Sequence, residues 1–144
     1  MIRLMKEKDK NEVIEMMTVF YASEAVSTNG SREIFESDFN NCINSCPYLE
    51  GYVFEENDKI CGYAMVAKSF STEFGKPCIW IEDLYIKEEY RHKKLGSLFF
   101  DFLKENYKDT IQRLEVDKHN VFAIKAYKKN NFEEVDYLQF IRKN

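Results

Sequence analysis

The run from Ile79 to Ser97, IWIEDLYIKEEYRHKKLGS, restricts the fold more than any other part of the chain. Apolar residues over Cys78 to Ile86 predict a strand that carries two adjacent carboxylates, Glu82 and Asp83. A basic turn follows, Arg91-His92-Lys93-Lys94, and Leu95, Leu98, Phe99, Phe102 and Leu103 then recur at helical spacing. A short apolar stretch over 111–116 reads as the next strand. Strand, helix and strand in that order imply a right-handed parallel crossover, and so an α/β domain with a helix packed on its sheet.

The flanking sequence extends this pattern. Met1 to Leu4 reads as an edge or first strand. Val13, Met16, Met17 and Phe20 mark an amphipathic helix over 9–21. Ser31 is a candidate cap for a second helix, whose stripe runs through Phe35, Phe39, Cys42, Ile43 and Cys46 and stops at Pro47. Strands are expected over 48–55 and 60–68 as a hairpin, followed by a Gly/Pro-containing loop over 69–77. A helix within 117–130, capped by Asn120, precedes a closing strand over 132–141. The expected order is β-α-α-β-β-β-α-β-α-β, a mixed sheet flanked by helices in one domain over 1–144.

Composition narrows the function classes. With 44% hydrophobic and 15% aromatic residues the chain is globular, with a core and pocket walls rich in rings. A net charge of −4 disfavours non-specific nucleic-acid binding and suits small cationic partners. Cys42, Cys46, Cys61 and Cys78 form no CxxC pair and there are only two histidines, so no metal site is expected. The cysteines read as reduced thiols in an apolar setting. No leader is read at the charged start MIRLMKEKDKNE, and no apolar run reaches membrane-spanning length, so a cytoplasmic location is expected.

The basic turn at the start of a helix is a candidate anion site. The first amides of a helix lack intrahelical partners, and the helix dipole adds partial positive charge there. Arg91, His92, Lys93, Lys94, Leu95, Gly96 and Ser97 are the candidate ligands. The neighbouring carboxylates Glu82 and Asp83 suggest proton chemistry beside a bound anion, and strand alternation sets them on opposite faces. Trp80 and Tyr85 are candidate pocket-lining rings. His119 matches no motif and reads as a surface histidine.

These elements and joints resemble the GNAT family of N-acetyltransferases over nearly the whole chain, most strongly over Ile79 to Phe132. The family's Gln/Arg-x-x-Gly-x-Gly/Ala signature stands here as Arg91-His92-Lys93-Lys94-Leu95-Gly96, with Lys94 replacing the first glycine. The family's Asn-x-x-Ala-x-x-x-Tyr stretch and following aromatic are matched by Asn120, Ala123, Tyr127 and Phe132, with Asn131 where a glycine is usual. Within the family, Trp80-Ile81-Glu82-Asp83-Leu84-Tyr85-Ile86 with Tyr90-Arg91, preceded by Phe70-Ser71-Thr72 and Gly75, resembles the diamine (spermidine/spermine) acetyltransferase branch.

The resemblance implies acetyl transfer from acetyl-CoA to an amine by direct attack. It implies that the 91–97 turn holds the diphosphate, that the backbone of Leu84, Tyr85 and Ile86 meets the pantetheine arm, and that Asn120, Ala123 and Tyr127 line the same cofactor. By analogy Glu82 is the base or water relay, and Asp83 and Trp80 contact the cationic amine. Tyr127 is the acid to the departing thiolate; a phenol, with a reference pKa of about 10, stays protonated at neutral pH. A polyamine or diamine is the leading substrate. An aminoglycoside, an amino acid or a protein amine follows, and a non-catalytic acyl-CoA-binding module is the rival class. The regions Tyr21 to Phe39 and 68–77 are expected to set substrate identity, and a homodimer through the closing strand is a further expectation by analogy.

Overall fold

The computed structural model describes residues 1–144. A five-stranded sheet runs in chain order, with β1 (Ile2–Leu4), β2 (Leu49–Glu56), β3 (Lys59–Ser71) and β4 (Lys76–Ile86) antiparallel and β5 (Ile111–Leu114) parallel to β4. Helices α1 (Lys10–Tyr21) and α2 (Arg32–Ile43) contribute Val13, Ile14, Met17, Phe35 and Phe39 to a core with Val53, Tyr63 and Met65. On the other face, Phe99, Phe100 and Leu103 of α3 (Leu95–Asn106) pack on Phe54, Ala64, Val66, Ile79 and Ile81. Helix α4 (Val121–Lys129) joins that side through Tyr127. The fold is the single α/β domain with a mixed sheet expected from the sequence, with the expected element order through α4.

Local chemistry explains most boundaries. The Ser31 hydroxyl accepts from the Ile34 amide and caps α2. Helix α2 ends at Ile43, ahead of Pro47, where Ser45 turns the chain with φ of 58°. The Asn120 side chain accepts from the Ala123 amide and caps α4, as expected, so the helix begins at Val121. The expected loop over 69–77 is mostly strand: β3 and β4 continue to a tight turn at Thr72–Gly75, and Gly75 supplies the positive φ of 63°.

The closing strand expected over 132–141 does not form. Phe132 packs edge-on against Phe100 and Tyr127, and beyond it the chain carries no ladder partner. Val135, Tyr137, Leu138, Phe140 and Ile141 are all exposed. Their apolar character suggested a strand, but a strand also needs a neighbouring edge of matching length, and β5 offers only four residues.

A half-buried ion triad ties β1 to β2 and to the start of α1. Arg3 donates through Nη1 (2.8 Å) and Nη2 (3.0 Å) to the Asp9 carboxylate and through Nη2 (2.6 Å) to Glu55. Asp9 is 2% exposed and also accepts from the Lys6 amide. Burial pushes the Asp9 pKa up, but Arg3 and the Lys6 amide outweigh it and leave the group below its ordinary value. Its stabilising contribution is therefore present at neutral pH and fades as pH falls below the unfolded value of about 3.9. Asp9→Ala should cost about 1–2 kcal/mol in urea denaturation at pH 7, by removing the buried carboxylate of the triad and leaving the half-buried Arg3 to Glu55 alone. A midpoint unchanged from wild type would contradict this.

Candidate active site

The site grows from a defect in β4. Along β3, Val66 pairs with Ile81 and Met65 with Asp83, so Glu82 is an extra, bulged residue. The bulge breaks the alternation expected from the sequence. Ile79 and Ile81 before it, and Leu84 and Ile86 after it, all belong to the α3 side. Asp83 turns instead toward α1, where its carboxylate accepts from Tyr21 Oη (2.8 Å) and Tyr63 Oη (2.7 Å).

The same region parts from β5. The two strands pair only over Cys78–Ile81 and Ile111–Leu114, so the β4 edge beyond Ile81 has no β5 neighbour. A cleft of about 1420 Å³ opens there. Leu84, Tyr85 and Ile86 form one wall, Tyr90 to His92 and Lys94 to Ser97 the floor, and Asn120, Ala123 and Tyr127 the wall opposite. Val19, Phe20 and Ser23 to Ala25, at the end of α1, complete the rim.

At the start of α3 the first helical bond runs from the Leu98 amide to the Lys94 carbonyl, and no side chain caps the helix. The amides of Leu95, Gly96 and Ser97 are thus free to donate into the cleft. Lys94 takes the left-handed backbone, φ 62°, that a glycine would take without strain, at about 1 kcal/mol or somewhat more. Asn131 does the same with φ 67° after α4. A Cβ at Gly96 would meet no protein atom within 4 Å, so the space above this residue belongs to the cleft. Arg91 is fastened at the edge: its Nε donates to the Ile86 carbonyl (2.9 Å) and its guanidinium lies 5.8 Å from the Tyr85 ring centre.

Tyr127 stands between the rings of Phe100 (6.0 Å) and Phe132 (6.1 Å), and its hydroxyl bonds no other protein group. Burial raises its pKa, so it is a neutral donor throughout the physiological range. The Glu82 pKa is raised first by the dehydrating walls around it, then by repulsion from Asp83, Glu115 and Asp38. Glu82 and Trp80 line a second, smaller cavity with Glu115.

Two sequence-based assignments need correction. Asp83 is 3% exposed and already accepts two phenol protons, so it braces the bulge and is not free to touch an acceptor amine. The Lys93 ammonium turns from the cleft to Glu56 (3.2 Å) and the Tyr90 ring, so it adds no side-chain charge to the anion floor. His119 reaches the rim but pairs with Asp117 through Nδ1 (3.1 Å) in solvent. Sequence reasoning missed Tyr21 and Tyr63 as the props of Asp83, and Asp38 and Glu115 as the charges beside Glu82. All four lie far along the chain from the strand they serve, and no local spacing marks them.

Comparison with known proteins places this geometry. The acetyltransferase (GNAT) family model matches residues 11–132. No curated protein matches the sequence. Solved structures share the fold at low identity. A protein from Clostridium difficile 630 described as a possible acetyltransferase superposes with a TM-score of 0.84 at 21% identity, covering 100% of this chain and 97% of its own. A predicted acetyltransferase from Clostridium acetobutylicum, solved with acetyl-CoA, gives 0.78 at 19%, covering 99% and 95%. AAC(6')-Iy, solved with the bisubstrate analog CoA-S-monomethyl-acetylneamine, gives 0.80 at 13%, covering 100% and 97%. The chain belongs to the GNAT acetyltransferase family and is an acetyl-CoA-dependent N-acetyltransferase.

Proposed function

We propose that the protein acetylates a primary amine of a small cationic substrate, with a polyamine or diamine foremost, by direct attack of the amine on the acetyl group. The observation that carries this reading is the uncapped first turn of α3, which opens on the same cleft as Tyr127 and the unpaired end of β4. The cleft suits coenzyme A. Three free amides and the side chains of Arg91, His92 and Lys94 match a diphosphate, and the open space at Gly96 leaves room for it. Of the expected trio Leu84, Tyr85 and Ile86, the backbone of Leu84 and Ile86 faces the free edge and is offered to an amide-bearing arm, in the manner of an added strand, while the Tyr85 backbone faces β3 and its ring lines the cleft. When bound, acetyl-CoA supplies the activated acetyl group.

The chain's own residues supply the rest. Glu82 takes a proton from the acceptor ammonium, directly or through one water, and its raised pKa suits it to that work. Tyr127 gives a proton to the departing sulfur. A backbone amide near Leu84 is the candidate donor to the tetrahedral oxygen. The acidic surroundings of Glu82, with Glu115 and Asp38 acting on it, favour a cationic substrate over a neutral or anionic one. An aminoglycoside is the second reading, since it is also a small polycation and AAC(6')-Iy shares the fold. Four free cysteines, two of them buried, are in keeping with a reducing cytoplasm. The exposed Val135, Leu138 and Ile141 would be covered in a homodimer.

The reading is tested by acetylation of spermidine, putrescine, lysine analogues and kanamycin, with free thiol as the readout; spermidine or putrescine should be preferred. Release of thiol with none of these amines would contradict it. Tyr127→Phe should lower kcat by about a hundredfold or more with coenzyme A affinity nearly intact. A kcat equal to wild type would remove Tyr127 from the mechanism. Activity should be lost as pH falls through the Glu82 pKa, which lies above the ordinary glutamate value of about 4.3. Glu82→Gln should abolish that acidic limb of the kcat/KM profile, and an unmoved limb would assign the base elsewhere. Gly96→Ala should leave stability equal or up to about 1 kcal/mol higher, since alanine is the better helix former. Alanine, which the family signature also admits here, should leave coenzyme A affinity within about twofold, whereas Gly96→Glu should weaken it about tenfold or more in calorimetry by setting a like charge in the anion cradle. Unchanged affinity in Gly96→Glu would place the diphosphate elsewhere.

A further inference from the structure

We propose that Tyr21 is a positioning residue for Glu82. Its hydroxyl fastens the end of α1 to the bulge of β4, so that one hydrogen bond sets both the proton-accepting carboxylate and the rim of the cleft that α1 leads into. The proposal rests on Glu82 as the group that deprotonates the acceptor, and it goes further by naming the residue that holds Glu82 in place.

Glu82 is the extra residue of the bulge, so it lacks the β3 partner that fixes the positions on either side of it. Its direction is set through the next residue. Asp83 is 3% exposed and accepts one phenol on each oxygen, Tyr21 Oη (2.8 Å) on Oδ1 and Tyr63 Oη (2.7 Å) on Oδ2. The two donors are not equivalent. Tyr63 stands on β3, which the ladder already binds to β4. Tyr21 is the last residue of α1 and makes the one hydrogen bond between that helix and β4. The other tie of α1 to this region, from Lys87 Nζ to Glu12 (2.5 Å), lies beyond the end of β4 and near the opposite end of the helix.

From Ala22 to Ser31 the chain has neither helix nor strand. Ser23, Glu24 and Ala25 of this connection line the cleft together with Phe20. Its backbone bonds are local, from the Ser23 and Val26 amides to the carbonyls of Phe20 (3.1 Å) and Ser23 (3.5 Å). The Tyr21 ring is what locates it. That ring packs on Phe20 (5.3 Å) and on Phe35 of α2 (5.2 Å). Gly30 lies so close above the pair that a Cβ there would come within 2.6 Å of Phe35 and 3.4 Å of Tyr21. Ring and hydroxyl together join α1, α2, their connection and the bulge at one residue.

The surrounding charges give this joint a titration signature. Asp83 faces Tyr21 from α1, Tyr63 from β3, Asp38 and Cys42 from α2, and Glu82 on its own strand; Glu82 also faces Asp38 and Glu115. Neither carboxylate enters an ion pair. Burial raises the Asp83 pKa, and the Tyr63 and Tyr21 phenols oppose that rise. Without the Tyr21 hydroxyl, Asp83 takes up a proton at higher pH. A neutral Asp83 no longer repels the Glu82 charge, so Glu82 titrates lower, nearer its ordinary value.

The experiment measures kcat/KM against pH at saturating acetyl-CoA, using whichever of spermidine, putrescine and kanamycin is acetylated fastest. Tyr21→Phe should lower kcat about tenfold and leave coenzyme A affinity within about twofold. Its acidic limb should move about half a pH unit lower. Asp83→Asn should move the limb the same way, and adding Tyr21→Phe to it should move the limb no further. Tyr48→Phe, which removes a hydroxyl from an exposed ring far along the chain from the bulge, should keep kcat and limb. Amide exchange on the millisecond scale reads the rim without any turnover. Ser23, Ala25 and Val26 should exchange severalfold faster in Tyr21→Phe and at the wild-type rate in Tyr63→Phe, which removes the other Asp83 donor. A limb unmoved by Tyr21→Phe would overturn the proposal, as would an equal shift in the Asp83→Asn background or unchanged exchange at those three amides. Failure of the base assignment reads differently: Glu82→Gln would leave the acidic limb in place, while the exchange would still show whether Tyr21 fastens the rim.

Discussion

The parting of β4 from β5 is the constraint on which the site depends. Backbone donors and acceptors must be paired or solvated, and a sheet satisfies them by keeping neighbours together. Here the pairing ends after Ile81 and Leu114. The extra residue at Glu82 bends β4 at that point, and Asp83, gripped by two tyrosine hydroxyls, fixes the bend from the α1 side. A strand end without a neighbour is held open by a rigid prop, so its polar edge is available to a ligand that can complete the sheet.

The anion floor follows the same logic of unsatisfied groups. Most helices in water finish their first turn with a capping side chain, as α2 does with Ser31 and α4 with Asn120. Helix α3 has Lys94 in that position, in left-handed backbone and without a side-chain cap. The chain accepts local strain there and leaves three amides free. Strain and open donors at one helix end, beside a parted strand and a buried neutral tyrosine, together make up the site proposed to bind a phosphate-bearing thioester and to protonate its sulfur.

Local patterns carried most of this into the sequence. The helical stripes of α1, α2 and α3, the caps at Ser31 and Asn120, and the β4–α3–β5 crossover are each set by neighbours within a few residues. The loop and tyrosine motifs are local too, and most of the residues they named line one cleft. What could not be read depends on distant partners. The bulge at Glu82 shows only once β3 is laid alongside, and it changes which way Asp83 faces. Lys93 leaves the cleft because Glu56, on another strand, offers it a partner. The segment after Phe132 has the composition of a strand but no edge to join, a fact about β5 rather than about the segment itself.

Amide hydrogen exchange tests the central claim most directly, because the claim concerns individual backbone N–H groups. On addition of coenzyme A, exchange should slow at Leu95, Gly96 and Ser97 and at Leu84 and Ile86, whose amides face away from β3, with little change in β1 and β2. Binding of coenzyme A that left those amides exchanging at their original rates would contradict the account.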